Sequence, residues 1–273
     1  MNTISIIGCG WLGLPLGISL MEDGYQIKGS STNPDKMKTL SLAGIEPYKI
    51  KIEDKILADE TIDGFFSTDL LIINIPPSRN KENLIDYYSQ QINIIAGKAR
   101  EHGIDKIIFI SSTSVYAPVN TEVIEEDAIQ PLKPSGKAIL KTEQMLMSDP
   151  AFSTTVLRFC GLVGPERHPG NFFKNGYIKD GNSPINLIHL DDCINIIREI
   201  IKQEVWSGVY NACAGAHPKK KVFYPKACRS IGRDLPKIEE GKFDFKIVNS
   251  DKLRKKLKYH FIYDKIEDAF NKS

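Results

Sequence analysis

The stretch Ile6-Ile7-Gly8-Cys9-Gly10-Trp11-Leu12-Gly13 decides the fold of this chain. It follows the β-branched run Thr3–Ile7 and leads into apolar residues at helical spacing up to Met21, so it predicts a strand, a glycine turn and a helix. In such a turn the first glycine allows the tight bend and the second lets a phosphate approach the backbone. The third lets the helix pack closely on the strand.

The turn is a candidate binding site for the pyrophosphate of NAD(P). A helix N-terminus offers unpaired N–H groups and a partial positive charge to phosphates. The alternative is a glycine turn that packs a helix on a sheet and binds no ligand, but the strand before it and the helix after it favour the dinucleotide. The residues that we expect to hold the pyrophosphate are Gly8, Gly10, Trp11, Leu12 and Gly13.

Strand and helix patterns alternate along most of the chain, which predicts an α/β fold of the Rossmann type, a doubly wound parallel sheet with a small C-terminal lobe. Further strands are predicted at Gln26–Gly29, Tyr48–Ile52, Leu70–Ile75, Lys106–Ile110, Thr154–Leu157, Asn186–Leu190 and Gly208–Ala212. Helices are predicted at 33–43, 80–101, 137–147, 191–202, 250–257 and 264–270. We expect an NAD(P)-binding domain over 1–161, completed by about 186–212, and a substrate-side lobe from 162–185 and 213–273.

The end of the second predicted strand should select the cofactor. NAD-binding proteins usually place an acidic residue there for the ribose 2′-hydroxyl. This chain has Ser30, Ser31 and Thr32 instead, with Lys36 or Lys38 as a counter-charge for a 2′-phosphate. We therefore expect a preference for NADP, with NAD as the alternative; residues 31–33 would also cap the following helix.

Composition excludes several other classes of function. The net charge of +2 gives no electrostatic reason to expect nucleic acid or an anionic membrane as a partner. The five scattered cysteines form no CxxC pair, so we expect no metal site and a reducing, cytoplasmic compartment. The start of the chain has the pattern of a first strand, not of a signal peptide, and no run is long enough for a membrane span. The sequence leaves open whether the chain acts as a monomer or a homodimer.

Five short motifs follow one another along the chain: the glycine turn, Ile110-Ser111-Ser112-Thr113-Ser114-Val115-Tyr116, Leu157-Arg158-Phe159, Gly164-Pro165 and Ile188-His189-Leu190-Asp191-Asp192. In this order and at these separations, they resemble the extended and atypical short-chain dehydrogenase/reductases, the NAD-dependent epimerase/dehydratase family. Ile75-Pro76-Pro77, which we also place among the cofactor-binding residues, and Tyr210-Asn211 resemble an atypical, epimerase-like subgroup.

The resemblance implies chemistry by a serine that polarises a carbonyl, a tyrosine that transfers a proton and a lysine that lowers the pKa of that tyrosine. Ser112 matches the serine. Taking Glu143 as the glutamate that follows the family's YxxxK motif puts Ser135 at the tyrosine position and Ile139 at the lysine position. The nearby Lys137 and Lys141 are two residues out of register and face other directions on the helix.

Other candidates have both a functional and a structural interpretation. Tyr116 is the nearest replacement for the missing tyrosine, but a packed aromatic at a strand end is the better interpretation. His189 and Cys160 are interpreted as structural, the cysteine because nothing in the sequence supplies a base for it. In the loop where relatives bind substrate, the candidates for gripping an anionic or sugar group, or else plain surface residues, are Arg167, His168 and Asn171.

Three functions fit this pattern. The first is an NADP-dependent oxidoreductase or epimerase-like enzyme with a changed proton donor, acting on a small molecule such as a sugar nucleotide. The second is a non-catalytic NADP sensor or scaffold, which the missing tyrosine and lysine favour. The third, a hydroxyacid dehydrogenase with a separate helical domain, conflicts with the motifs at 110–116 and 188–192.

Overall fold

The computed structural model describes residues 1–53, 56–58, 62–78, 81–173, 176–240 and 244–271. The chain divides into two compact units, and each unit consists of three separate stretches of sequence. Unit 1 comprises 1–115, 131–157 and 200–209, and unit 2 comprises 116–130, 158–199 and 210–273. Four stretches that the sequence pattern places in the first domain group with unit 2: 116–130, 158–161, 186–199 and 210–212.

Strands and helices alternate along unit 1, and unit 2 has shorter elements. The strands are β1 (Thr3–Ile7), β2 (Gln26–Ser31), β3 (Glu46–Ile52), β4 (Ile56–Ala58), β5 (Leu70–Ile73), β6 (Lys106–Ser112), β7 (Glu122–Val123), β8 (Ser153–Phe159), β9 (Gly161–Val163), β10 (Tyr177–Ile178), β11 (Leu187–His189), β12 (Gly208–Ala212), β13 (Lys237–Ile238) and β14 (Ile247–Val248). The helices are α1 (Gly13–Glu22), α2 (Pro34–Leu42), α3 (Ile62–Phe66), α4 (Leu84–Glu101), α5 (Pro134–Ser148), α6 (Leu190–Lys202), α7 (Lys220–Ser230) and α8 (Asp251–Leu257).

The large sheet has the strand order β12-β8-β6-β5-β1-β2-β3-β4. Seven strands run parallel, and β4 pairs with β3 in the antiparallel direction. The predicted fold class, a Rossmann-type doubly wound parallel sheet, is confirmed. Among the helices of the described residues, none is long and apolar enough to cross a membrane.

The strand order reverses at β1. The chain runs outward from β1 through β2 and β3, then returns to β5 on the other side of β1. In open α/β sheets, ligands bind in the crevice beyond the carboxyl ends of the strands at such a reversal. The residues that line this crevice are therefore those after β1, the glycine turn, and those after β5, which begin at Asn74.

Burial explains where the predicted strand at 70–75 agrees with the structure and where it does not. Residues Leu70–Ile73 are fully buried, as a strand covered on both faces must be. The prediction of Leu70–Ile75 is two residues too long, because Asn74 and Ile75 are partly exposed where the chain leaves the sheet. The start of the next helix, predicted at 80, lies outside the described residues, and α4 begins at Leu84.

Unit 2 is held by short parallel pairs and by an apolar cluster. The pairs are β9 with β11, β10 with β13 and β7 with β14. The cluster contains Phe223 of α7 together with Tyr263 and Ile266 near the C-terminus. The predicted helix at 264–270 is a 3-10 helix, Ile266–Asn271, and Leu190, predicted as the last residue of a strand, begins α6.

Candidate functional site

The three glycines of the turn meet three different surroundings. Gly8 has φ of +97°, and a Cβ there would lie 2.6 Å from the Asn74 carbonyl oxygen. A Cβ on Gly13 would lie 2.5 Å from the Gly8 carbonyl oxygen, whereas a Cβ on Gly10 would meet no described atom within 4 Å. The first and third glycines are thus needed for packing, while the second faces open space of the kind that a pyrophosphate needs.

The turn is braced by its neighbours in the crevice. Asn74 donates from Nδ2 to the Gly8 carbonyl oxygen at 2.9 Å, and its backbone N–H donates to the Ile7 carbonyl oxygen. Ser30 accepts a hydrogen bond from the Gly8 N–H at 3.1 Å, and its carbonyl accepts one from Cys9. Ser30 is buried and helps to fix the conformation of the turn. It therefore has a structural role in addition to the cofactor contact predicted from the sequence.

A cavity of about 480 Å³ opens beside the turn in unit 1. Hydroxyl and cationic side chains line one part, from Ser30, Ser31, Thr32, Lys36 and Lys51, and no carboxylate belongs to the described lining. Apolar and aromatic side chains line another part, from Ile50, Ile52, Ile75, Pro76 and Tyr87.

The lining of this cavity includes some of the cofactor-binding residues predicted from the sequence and leaves out others. Lys36 lines it and Lys38 does not, although both belong to α2, and Pro77 is outside the described lining. Lys51 was missed by the sequence interpretation; its Nζ lies 2.6 Å from Glu53 Oε1. Asn33 caps α2 by accepting from the Asp35 N–H, so it has the structural role proposed for residues 31–33.

Ser112 ends β6, at the carboxyl edge of the same sheet. Its Oγ accepts a hydrogen bond from the Ser114 N–H at 3.1 Å, and the side chain is partly exposed. A Cβ on Gly136 would overlap the Ser114 carbonyl oxygen, so the start of α5 lies directly against this turn. The hydroxyl of Ser112 therefore has a fixed position and can still donate its own hydrogen.

Helix α5 carries the two positions that the resemblance assigns to the family's YxxxK motif, Ser135 and Ile139. Ser135 is partly exposed in its first turn, and Ile139 is buried with 7% of its surface exposed. Lys137 is exposed, and Lys141 is also exposed and pairs with Asp86 at 2.8 Å, so neither substitutes for a lysine at 139. Glu143 is buried and accepts a hydrogen bond from Ser111.

Tyr116 lies in a buried network of unit 2. Its hydroxyl donates to Asn211 Oδ1 at 2.6 Å and accepts from Arg158 Nη1 at 2.8 Å. Its carbonyl accepts from Lys246 Nζ at 2.6 Å. Burial raises the pKa of the Tyr116 phenol, although Arg158 lowers it. This arrangement favours the packed-aromatic interpretation over a role as proton donor, and it joins three of the resemblance motifs in one structural network.

A second cavity of about 480 Å³ lies within unit 2. Of the three loop candidates, only His168 belongs to its described lining; Arg167 and Asn171 are exposed outside it. His168 Nδ1 accepts from the Gly170 N–H at 3.1 Å, and burial lowers the pKa of its imidazole. Other polar lining residues are Glu166, His189 and Asp191.

In the motif Ile188-His189-Leu190-Asp191-Asp192, Asp192 has a structural role, whereas His189 and Asp191 line the cavity. Asp192 is fully buried and accepts from the Tyr259 hydroxyl at 2.8 Å and from the backbone N–H groups of Ile262 and Tyr263. It thereby fixes the C-terminal segment of unit 2 to the start of α6. His189, interpreted as structural from the sequence, packs on the Tyr263 ring and also lines the cavity.

The cysteines contribute no exposed thiol. All five are free and buried. Burial raises the pKa of the Cys9 thiol to about 12, and it also raises the pKa values of Cys193 and Cys213. A thiol with a raised pKa is protonated at neutral pH and is a poor nucleophile.

The sheet order, the glycine turn at the strand reversal and the cavity beside it define an NAD(P)-binding fold of the epimerase/dehydratase type. The model of the NAD dependent epimerase/dehydratase family matches residues 4–213. The chain belongs to that family, as an atypical short-chain dehydrogenase/reductase.

Individual relatives agree with this assignment. Protein YeeZ of Escherichia coli is 35% identical over 268 residues, which cover 96% of this chain and 97% of YeeZ. A short-chain dehydrogenase/reductase superfamily protein from Agrobacterium tumefaciens with bound NAD has a TM-score of 0.81 at 14% identity, covering 99% of this chain and 96% of its own. UDP-glucose 4-epimerase from Thermotoga maritima with UDP-glucose has a TM-score of 0.80 at 19% identity, covering 98% and 96%. The two solved structures show the shared fold.

Proposed function

We infer that this protein is an NADP-dependent oxidoreductase or epimerase-like enzyme that acts on a small molecule and uses a proton donor other than the family's tyrosine. The observation that carries the cofactor part is the cavity beside the glycine turn. Beside the glycine turn, its described lining brings the hydroxyls of Ser30, Ser31 and Thr32 together with Lys36 and Lys51, and it contains no carboxylate. The cofactor would supply or accept the hydride, and the chain would bind it and orient the substrate.

The residues of the cavity fit the parts of NADP. The open space at Gly10 suits the pyrophosphate, next to the N-terminus of α1. Ile50 and Ile52, both buried, and the ring of Tyr87 form an apolar wall for an adenine ring. Ser31, Thr32 and Lys36 supply hydrogen-bond donors and a positive charge for a 2′-phosphate, where an NAD-binding protein would have a carboxylate.

The test of cofactor choice compares affinities for NADPH and NADH by calorimetric titration. We expect the wild type to bind NADPH more tightly. Ser31→Asp should reverse the order, because its carboxylate would repel the 2′-phosphate and accept from the 2′-hydroxyl. Lys36→Ala should weaken NADPH binding by about fivefold, the range of one partly exposed ion pair, and leave NADH binding unchanged.

Lys38→Ala is the matched control, because Lys38 lies on the same helix but does not line the cavity. It should leave both affinities unchanged. A wild type that prefers NADH, or equal effects of the two lysine variants on NADPH, contradicts the NADP assignment.

A non-catalytic NADP sensor is the second candidate, and a specific observation favours it. The position that the resemblance assigns to the family's lysine is a buried isoleucine, Ile139, and the position that it assigns to the tyrosine is Ser135. Tyr116 cannot readily take over, because its hydroxyl is engaged by Asn211 and Arg158. Oxidation of NADPH in the presence of aldehydes, ketones and nucleotide sugars separates the two functions. Tight NADPH binding with no turnover of any of them supports the sensor.

A further inference from the structure

We propose that the cavity of unit 2 binds an organic cation, a protonated amine or quaternary ammonium group on an apolar body, and not the diphosphate of a sugar nucleotide. The proposal specifies the ligand class of the proposed function. It rests on that function only in treating the ligand as a substrate. It follows from the size of the cavity, its walls and the signs of the charges around it.

The apolar part of the cavity is partly aromatic. Its walls include Ile231, Tyr263, Ile266 and Phe270, and the volume of about 480 Å³ is that of a small-molecule site. Tyr263 and Ile266 are buried in the apolar cluster of unit 2, so their positions are fixed by packing. Aromatic faces attract cations as well as apolar groups, because the ring face carries partial negative charge.

The ionisable groups of the lining give it a negative character. Glu166 and Asp191 both contribute, and no lysine or arginine belongs to the described lining. Burial lowers the pKa of His168, which disfavours a positive charge on its imidazole. Arg167, the one nearby guanidinium that the sequence offered for an anionic substrate, lies outside this lining.

One imidazole of the lining, that of His189, lies beside a carboxylate. Its Nδ1 accepts from the Asp191 backbone N–H at 3.2 Å and lies 3.4 Å from Asp191 Oδ2. A positive charge on this ring would offset only one of the two carboxylates of the lining, because the other belongs to Glu166.

A diphosphate would place negative charges beside two carboxylates with no lysine or arginine in the described lining. Such like-charge contacts oppose binding, whereas an ammonium group would be attracted by both carboxylates and by the aromatic walls. The charge pattern therefore selects a cationic ligand over an anionic one of the same size.

The test uses tryptamine, indole-3-propionate and UDP-glucose as probes, titrated calorimetrically into the full-length protein without cofactor. Tryptamine and indole-3-propionate share an apolar ring and differ in the sign of the charge. We expect tryptamine to bind at least about tenfold more tightly than indole-3-propionate, a difference of about 1.4 kcal/mol. UDP-glucose should not compete with tryptamine.

Variants locate the binding. Glu166→Gln and Asp191→Asn should each weaken tryptamine binding by about fivefold, while Asp234→Asn, which changes an exposed carboxylate outside the lining, should not. Ala269→Trp should abolish binding, because Ala269 lines the cavity and the indole would fill it. Thermal unfolding of each variant checks that the fold is kept.

Two results would overturn the proposal: no tryptamine binding at millimolar concentration, or binding of indole-3-propionate or UDP-glucose that is as tight and is lost in Ala269→Trp. A parallel titration with NADPH keeps the two claims apart. The proposed function is contradicted if NADPH does not bind. The cavity proposal is contradicted only by the results with tryptamine, indole-3-propionate and UDP-glucose.

Discussion

Gly10→Val should abolish tight NADPH binding and leave the fold intact. A Cβ at this position meets no described atom of the protein within 4 Å, so we expect the folded chain to accept the valine. The same side chain would occupy the space that a pyrophosphate needs against the backbone. We expect the affinity for NADPH to fall by about a hundredfold or more, which is about 2.7 kcal/mol.

Gly13→Ala is the matched control for this prediction. A Cβ on Gly13 would lie 2.5 Å from the Gly8 carbonyl oxygen, so this variant should lower the thermal unfolding temperature as well as the affinity. Calorimetric titration and thermal unfolding of both variants separate loss of a ligand site from loss of packing. Unchanged NADPH affinity in Gly10→Val would remove the glycine turn from the cofactor site.

Ser112→Ala should lower turnover by roughly 10²- to 10³-fold if the protein is an enzyme. Ser112 lies at the carboxyl end of β6, and its Oγ is fixed by the Ser114 N–H. A fixed hydroxyl can hydrogen-bond a substrate carbonyl or hydroxyl as charge develops on its oxygen, and the loss of one such donor has an effect of this size. NADPH affinity should hardly change, because the pyrophosphate is held at the glycine turn.

The measurement is NADPH oxidation by wild type and variant, with any aldehyde, ketone or nucleotide sugar that is turned over. Ser114→Ala is a useful control, because it keeps the Ser112 hydroxyl and the backbone N–H that fixes it. Turnover that survives in Ser112→Ala would show that the catalytic assignment of Ser112 is wrong. The double variant Ser135→Tyr and Ile139→Lys should give at most slow reduction of small carbonyls if the protein is a sensor.

The fold could be predicted from the sequence because its signals are local. The strand Thr3–Ile7, the glycine turn and the buried run at 70–73 each show their pattern within a few residues, and all three have their predicted structure. The short strands of unit 2 could not be predicted in this way. Pairs such as β7 with β14 join residues more than a hundred positions apart, and each strand is only two residues long.

The conformation of the glycine turn could be predicted because it depends on local backbone geometry. Contacts between side chains that are distant in sequence could not be predicted. Asn74 supports the glycine turn, yet only its position after a buried strand hinted at a role. The choice between Lys36 and Lys38 depends on which way α2 faces its cavity, and Lys51 comes from a different strand. The network of Tyr116, Arg158 and Asn211 likewise required the tertiary structure to explain three separate motifs.

A crystal structure of the protein with NADP tests the central claim most directly. We expect the pyrophosphate to lie against Gly10 at the start of α1, and the 2′-phosphate to contact Ser31, Thr32 or Lys36. Ser112 should be the side chain of β6 that is nearest to the nicotinamide ring. A cofactor bound away from the glycine turn, or a 2′-phosphate that contacts none of these three residues, would contradict the account.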